Sequence, residues 1–456
     1  MGRINGCPLC LEKQREIDRL KEENVLLRQR LSYRERKEGF FGSSTPSSQQ
    51  PLKANTEEVK KPRGAKIGHK GFGRKGFCVS QADRVERVEA GVAEVCPFCG
   101  GSLQDKGEES RSVLDIHPVK AQRVVYLRKK KWCRRCGKTF AGEVPGVLPR
   151  NLYSNQLMAT ATTMHYLYGI PLGRICEQVG VGDGSLVEIF HRMARLFSGV
   201  IPTLIEEYRQ APVKHADETG WRTDGKNGYA WLFATVKSSL FLFKKTRSSS
   251  VPRAIFGSER LPGTLVVDRY NGYNKMPCEL QYCYSHLLRE VEDLEKEFAD
   301  QAEIKAFVGS VAPLLTLAMG LRGQPISDAQ FLLKASEVKG QIKATMQSPA
   351  QHMGIRRIQD IFTEHEGRLY HWADNREVPA DNNLAERDLR PTVIARKVSF
   401  GSQSDAGAHT RSVLMTVAHT LRKRGEDVAA RLKYALDELA KDMSKDPFPL
   451  LFSKPP

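Results

Sequence analysis

The central part of this 456-residue chain predicts an α/β fold, with a mixed sheet interrupted by a long helical stretch. Three observations carry the expectation. Two β-prone runs, Tyr229 to Val236 and Leu240 to Phe243, flank Lys237-Ser238-Ser239, the pattern of a hairpin. Leu265-Val266-Val267 is a short apolar run of the kind that forms a buried strand, with Asp268 at its end. Further on, Ile304, Phe307, Val308, Val311, Leu314 and Leu315 recur at helical spacing, which predicts an all-helical insertion over residues 301–375. Ser248 to Phe256 reads as a short helix between the hairpin and the apolar strand.

Three acidic segments punctuate these elements. Asp217 follows a short extended run, Ala211 to Ala216, and Asp268 ends its apolar strand. Glu386 lies in a helical segment opened by Asp381 and Asn382, both good cap residues. Each segment therefore sets one carboxylate at the edge of a regular element. Asp217 and Asp268 are 51 positions apart, on strands expected to be adjacent and central, and Glu386 follows 118 positions later. Alone, an Asp after a strand is usually a turn or cap residue, and a Glu on a helix is usually solvated. Together, Asp217, Asp268 and Glu386 form a hard oxygen donor set suited to Mg²⁺ or Mn²⁺. Two such ions, about 3.5–4 Å apart, activate an attacking water or 3′-hydroxyl and stabilise the leaving oxygen of a phosphodiester.

The segments His-Ala-Asp-Glu-Thr-Gly-Trp (215–221), Val-Asp-Arg-Tyr-Asn-Gly-Tyr (267–273) and Asp-Asn-Asn-Leu-Ala-Glu-Arg-Asp-Leu-Arg (381–390) are too particular to be filler. They resemble the DDE signature of insertion-sequence-66 family transposases, and Arg396-Lys397 with Phe400-Gly401-Ser402 extends the match. The similarity runs over nearly the whole chain. It implies a ribonuclease-H-like catalytic core and DNA strand cleavage and transfer, in a bacterial cytoplasm on nucleoid DNA. Double-stranded DNA, as transposon ends and as target, would be the partner. A homodimer or larger synaptic assembly would act on it, with accessory proteins where the element encodes them.

Composition bounds the reading. A formal charge of +18 favours a polyanionic partner, although ribosomal and membrane-surface proteins are also this basic. With no run of 18 apolar residues, no membrane span is expected. The first residues lack the apolar core of a signal peptide. Six of the ten cysteines fall in Cys-x-x-Cys pairs, which in a cytosolic chain read as metal binding and not as disulfides.

In order along the chain, residues 1–38 form a coiled-coil helix. Ile17, Leu20, Asn24, Leu27 and Leu31 step by three and four, a short seam for homodimerisation or for packing on the protein itself. Cys7 and Cys10 precede it with too few ligands to assign a metal. Residues 39–82 are a Gly/Ser-rich linker, basic from Lys60 to Gly76, which either tracks a phosphate backbone or is simply solvated. Residues 83–148 read as a zinc ribbon. Cys96 and Cys99, then Cys133 and Cys136, form two knuckles with 33 residues between them, and four thiolates close one structural Zn²⁺ site. The segment from Arg123 to Arg128 alternates like a ribbon strand. Lys129, Lys130, Arg134 and Arg135 crowd the second knuckle as DNA contacts, unless the zinc site is only a structural clip.

Residues 149–208 have helix-turn-helix grammar, with a second helix capped near Ser185. Arg174 and Ser185 are candidate DNA contacts, and His191 is a candidate surface or phosphate contact, although helix pairs with a Gly turn are common. The catalytic core spans 209–300 and 376–425, and 426–456 is a C-terminal helix and tail. Cys283-x-x-His286 offers an incomplete ligand pair, with His286 a candidate DNA contact beside the active site. Trp372 could stack on an unpaired base. Arg387, Arg390, Arg396 and Lys397 are candidate phosphate contacts, although Arg390 could instead pair with Glu386 one turn away. Besides a transposase, two readings stay open: a metal-dependent nuclease of the same fold, and a non-catalytic zinc-ribbon and helix-turn-helix DNA binder.

Overall fold

The computed structural model describes residues 13, 16–17, 19–27, 79–81, 85, 99, 121–132, 139–141 and 144–453. Cys96, Cys133, Cys136, Arg134 and Arg135 lie outside the described residues, as do the basic linker, Cys7 and Cys10.

A five-stranded mixed sheet carries the candidate site. Its strands are β3 (Val213–Thr223), β4 (Lys226–Ala234), β5 (Ser239–Lys244), β6 (Thr264–Val267) and β7 (Glu279–Tyr282), in the order β5-β4-β3-β6-β7. β3, β4 and β5 pair antiparallel, and β6 and β7 add parallel strands. This mixed α/β arrangement is consistent with a ribonuclease-H-like core. The β3–β4 turn is Asp224-Gly225, both with positive φ (54° and 70°). That backbone suits a two-residue turn whose twist matches the flanking strands. Where β4 crosses β5, a Cβ on Gly228 would stand 2.7 Å from the Lys244 carbonyl oxygen, so only glycine fits.

β3 is longer than its sequence suggests. It continues through Glu218-Thr219-Gly220-Trp221, a polar stretch that reads as the end of a strand, because β4 pairs with it as far as Thr223. Asp217 therefore sits within a strand and not after one. Central position explains this: Thr219, Trp221 and Thr223 are all buried.

Around the sheet, α2 (Asn155–Thr162), α3 (Leu172–Val179), α4 (Asp183–Phe197) and α5 (Ile201–Gln210) precede β3, and α6 (Ser250–Phe256) precedes β6. α7 (Tyr284–Glu297) follows β7. The insertion contains α8 (Ala302–Leu321), α9 (Asp328–Met346), α10 (Met353–Glu364) and the short α11 (His371–Asp374). α12 (Asn383–Ser399), α13 (Asp405–Lys423) and α14 (Val428–Lys441) complete the core. α13 is buried from Val413 to Leu421, lying between β5 and α4, so one apolar core runs from Leu148 to Leu451. By length and composition alone α8 could cross a membrane, although it is no unbroken apolar run. Its Ile304, Val311, Leu315 and Leu321 are buried and it packs between α7 and α9, as a core helix does.

Other expectations need correction. Residues 121–129 are exposed and join no ladder, with Leu127 95% exposed. The first strands are instead β1 (Lys130–Trp132) and β2 (Thr139–Ala141), paired antiparallel and lying in sequence on either side of Cys133 and Cys136. α4 starts at Asp183 with Gly182 at its cap, not near Ser185, and Gly180 in the left-handed region ends α3. Trp372 is 1% exposed and meets the Tyr284 ring edge-on, so it cannot stack on a base. His191 is engaged internally, its Nδ1 2.6 Å from Thr410 Oγ1. Residues 19–27 form a helix, α1, with Leu20 and Leu27 half exposed.

Candidate active site

The parallel pairing of β3 with β6 sets the site. Val213, Lys214 and His215 lie opposite Thr264, Leu265 and Val266. Asp217 and Asp268 each lie two residues beyond the paired His215 and Val266, and the charge of Asp268 bears on Asp217. Each carboxylate is oriented by its own backbone: Asp217 Oδ1 accepts from Glu218 N (2.8 Å) and Asp268 Oδ1 from Tyr270 N (3.0 Å).

Asn382 brings the third carboxylate to this edge. Its Nδ2 donates to Ala216 O (2.9 Å), its Oδ1 accepts from His215 Nδ1 (2.9 Å), and its backbone N–H donates to Cys283 Sγ (3.1 Å). The expected helix-capping role of this side chain is thus replaced by a tie to β3, made where the strand reaches Asp217. Glu386 follows one turn into α12. The far end of the same helix is tied by Arg396, whose Nη1 donates to Gly220 O (2.5 Å) and Thr219 Oγ1 (3.2 Å). Arg396 is therefore tied to β3, and burial lowers its pKa.

The acids perturb one another. Burial, then Glu218, Asp268 and Glu386, hold the Asp217 carboxyl well above the usual carboxylate range. Burial and Glu218 push Asp268 up to about 7. The cation beside Glu386 is Arg289, Nη2 to Oε1 3.2 Å, and not Arg390; His286 Nδ1 stands 3.9 Å from the same oxygen. Burial, with Arg289 and Arg269, pushes His286 down to about 3, so its ring is neutral at physiological pH. Arg289 Nη1 and His286 Nδ1 are buried polar atoms without a hydrogen-bond partner among the described residues.

Cys283, His286 and Glu386 offer ligand atoms within 4.8 Å of one another. Burial and Glu386 push the Cys283 thiol up to about 12, and it already accepts from Asn382. With three donors and a guanidinium alongside, this group is not a closed structural zinc set.

Glu218 points to the opposite face of β3, as strand alternation requires. Its Oε1 accepts from Arg247 Nε (2.8 Å) and Nη2 (2.6 Å), and its Oε2 from Tyr273 OH (2.5 Å). Arg247 also lies 4.0 Å from the Tyr270 ring centroid, and Arg269 pairs with Glu290 on α7. Segment 267–273 thus owes its particular sequence to a supporting layer: one acid faces the site while its Arg and Tyr residues brace the strand behind. Sequence reasoning missed Arg289, Arg247 and Asn382 in these roles. For Arg289 a weak signal existed, since positions 286 and 289 share a helix face.

Of the remaining candidates, Arg387, Arg390 and Lys397 are exposed on α12, Arg174 is exposed on α3, and Lys129 is exposed before β1. Ser185 lines a groove of about 590 Å³ on α4, with Arg150, Tyr153, Glu188, Arg192 and Arg195. None of the acidic cluster lines that groove. Lys130 lies in β1 and Cys99 is exposed.

Comparison with known proteins converges on one group. The model described as transposase IS66 family matches residues 150–410, and the zinc-finger binding domain of transposase IS66 matches residues 93–137, which include all four ribbon cysteines. Two Sinorhizobium fredii proteins are similar over most of their length. Uncharacterized protein y4jD is 22% identical over 434 residues, covering 85% of this chain and 83% of the relative. Uncharacterized protein y4qI is 25% identical over 416 residues, covering 80% and 74%.

Proposed function

Because this chain belongs to the transposase IS66 family, we propose that Asp217, Asp268 and Glu386 cut DNA at the ends of a mobile element and join the freed 3′-hydroxyl to target DNA. The observation that carries the reading is that Asp217 and Asp268 lie two residues beyond the paired His215 and Val266, with Glu386 tied beside them through Asn382 and both acids bearing on Asp217.

The donor set fits two Mg²⁺ or Mn²⁺ ions. Burial and neighbouring acids, Glu218 first among them, raise the pKa of Asp217 and Asp268, a crowding of negative charge that divalent cations relieve. When bound, such ions activate the attacking oxygen and stabilise the leaving one. The chain's own residues do the positioning. Backbone N–H groups fix the Asp217 and Asp268 carboxylates, and Arg289 fixes Glu386. Arg289 Nη1, buried and without an acceptor among the described residues, is a donor for a phosphate oxygen of the scissile strand. Arg387, Arg390 and Lys397, exposed along α12, hold flanking phosphates.

The zinc-finger segment binds Zn²⁺ through Cys96, Cys99, Cys133 and Cys136, and Lys129, Lys130, Arg134 and Arg135 rest on the duplex. The α3–α4 pair reads terminal sequence with Arg174 and Ser185, and α1 pairs two protomers. This chemistry belongs in the bacterial cytoplasm, on nucleoid DNA.

The test is a supercoiled plasmid carrying the element's ends, incubated with Mg²⁺ and wild-type chain or Asp268→Ala. Joined products from the wild type alone support the proposal. Cuts without joining favour the nuclease, and binding without cuts favours a non-catalytic DNA binder.

A further inference from the structure

The helix that carries Glu386 ends in an unusual way. Phe400, at the C-terminal end of α12, adopts φ 57° and ψ 3°, the left-handed region where glycine is the usual occupant. Its side chain is 76% exposed, so no burial offsets the cost of that backbone. The backbone around it is fixed. Phe400 N donates to Arg396 O (2.9 Å), and Ser402 N donates to Arg222 O (2.9 Å). Asp224 N in turn donates to Ser402 O (2.9 Å), and Trp221 Nε1 to Ser402 Oγ (3.1 Å). At Gly401, φ 129°, a Cβ would lie 2.2 Å from Arg222 O, so the chain runs directly against the β3–β4 hairpin. A large aromatic ring is thus held outward on a rigid base.

The ring continues a stripe that starts at the acidic site. On α12, positions 386, 390, 394 and 397 step by four and three along one face. Arg390 and Lys397 are exposed, and Ile394 is 56% exposed between them. From Glu386 to Phe400 the helix rises about 21 Å at 1.5 Å per residue. A DNA strand covers that in about six nucleotides at 3.4 Å each.

We propose that Phe400 stacks on a nucleobase of the DNA strand, about six nucleotides from the phosphate engaged at the acidic site. This contact rests on the strand-transfer reading given above. Cations bordering an aromatic ring fit nucleic acid, in which phosphates and base faces alternate. A second copy of this chain, with its net charge of +18, would bring like charges to the same stripe.

Phe400→Gly tests the contact without endangering the fold, because glycine suits the backbone there; its melting temperature should equal or exceed the wild type's. The probe is a duplex with the element's terminal sequence and a single-stranded extension carrying 2-aminopurine about six nucleotides from the cleavage position. Wild type should change the 2-aminopurine fluorescence on binding. Phe400→Gly should lose that change and bind at least about fivefold more weakly, and Phe400→Trp should restore both. If wild type joins DNA while Phe400→Gly matches it in affinity and fluorescence, the stacking contact is wrong and the strand-transfer reading stands. If wild type joins nothing yet the fluorescence change depends on Phe400, the contact stands and the reading falls. Self-association without DNA that disappears in Phe400→Gly would assign the ring to a protein interface and overturn the proposal.

Discussion

The two faces of β3 handle buried carboxylates in opposite ways. On one face Glu218 receives Arg247 and Tyr273, so its charge is met inside the protein. On the other, the adjacent residue Asp217 has no cation partner of its own among the described residues; burial, then the charges of Glu218, Asp268 and Glu386, hold its carboxyl well above the usual range. Folding alone gains nothing from the second arrangement, because burying like charges together is unfavourable. The contrast separates an acid with cation and hydroxyl partners inside the protein from one without them, as the proposed metal site requires, although Asp-Glu in the sequence presents both alike.

The largest effect that would sharpen this contrast is catalytic. Asp217→Asn should lower strand transfer by roughly a thousandfold or more, a loss of metal-dependent transition-state stabilisation. Its midpoint in chemical denaturation should hold or rise, since it relieves repulsion. A variant that unfolds more readily than wild type would break the comparison.

Glu218→Ala should do the reverse. Removing one partner of a buried ion pair costs about 3–5 kcal/mol, because the Arg247 N–H groups lose this acceptor. Denaturation should show that loss first, with activity per folded molecule falling far less than in Asp217→Asn. An unchanged denaturation midpoint would show that the two faces are not different.

The pH dependence follows with a smaller effect. An acid raised in the fold favours the folded state when protonated. Asp268, raised from 3.8 to about 7, therefore contributes stability at low pH that is lost as pH rises between those values. Mg²⁺ competes with that proton. It should raise the melting temperature by a few degrees at pH 8 and by almost nothing at pH 5. Equal Mg²⁺ stabilisation at both values would contradict the protonation argument.

The smallest of these effects concerns Asn382. Asn382→Ala removes the tie from α12 to Ala216 and His215, at about 1–3 kcal/mol. Strand transfer should fall more than DNA affinity, because Glu386 is misplaced while exposed Arg390 and Lys397 remain. Proportional loss of both would remove Asn382 from a positioning role.

Much of this was legible in the sequence because it is local. Periodicity marks the β4–β5 hairpin, the apolar β6 and the helical insertion, and Asp224-Gly225 is itself a local mark of the β3–β4 turn. What stayed hidden depends on partners far along the chain. Asn382 looks like a cap, but its side chain is claimed by β3, 166 and 167 positions away. Arg396 looks like a phosphate ligand and is claimed by Gly220. Trp372 looks free to stack and is covered by Tyr284. Arg289 carries only a weak local mark, its shared helix face with His286, because the approach of α7 to α12 is what makes it the partner of Glu386.

The most direct test of a shared cation site is titration of Mn²⁺ into zinc-loaded protein bound to end DNA. Two ions per protomer should bind, falling to one or none in Asp268→Ala. Two ions bound equally by that variant, or none bound by the wild type, would contradict the account.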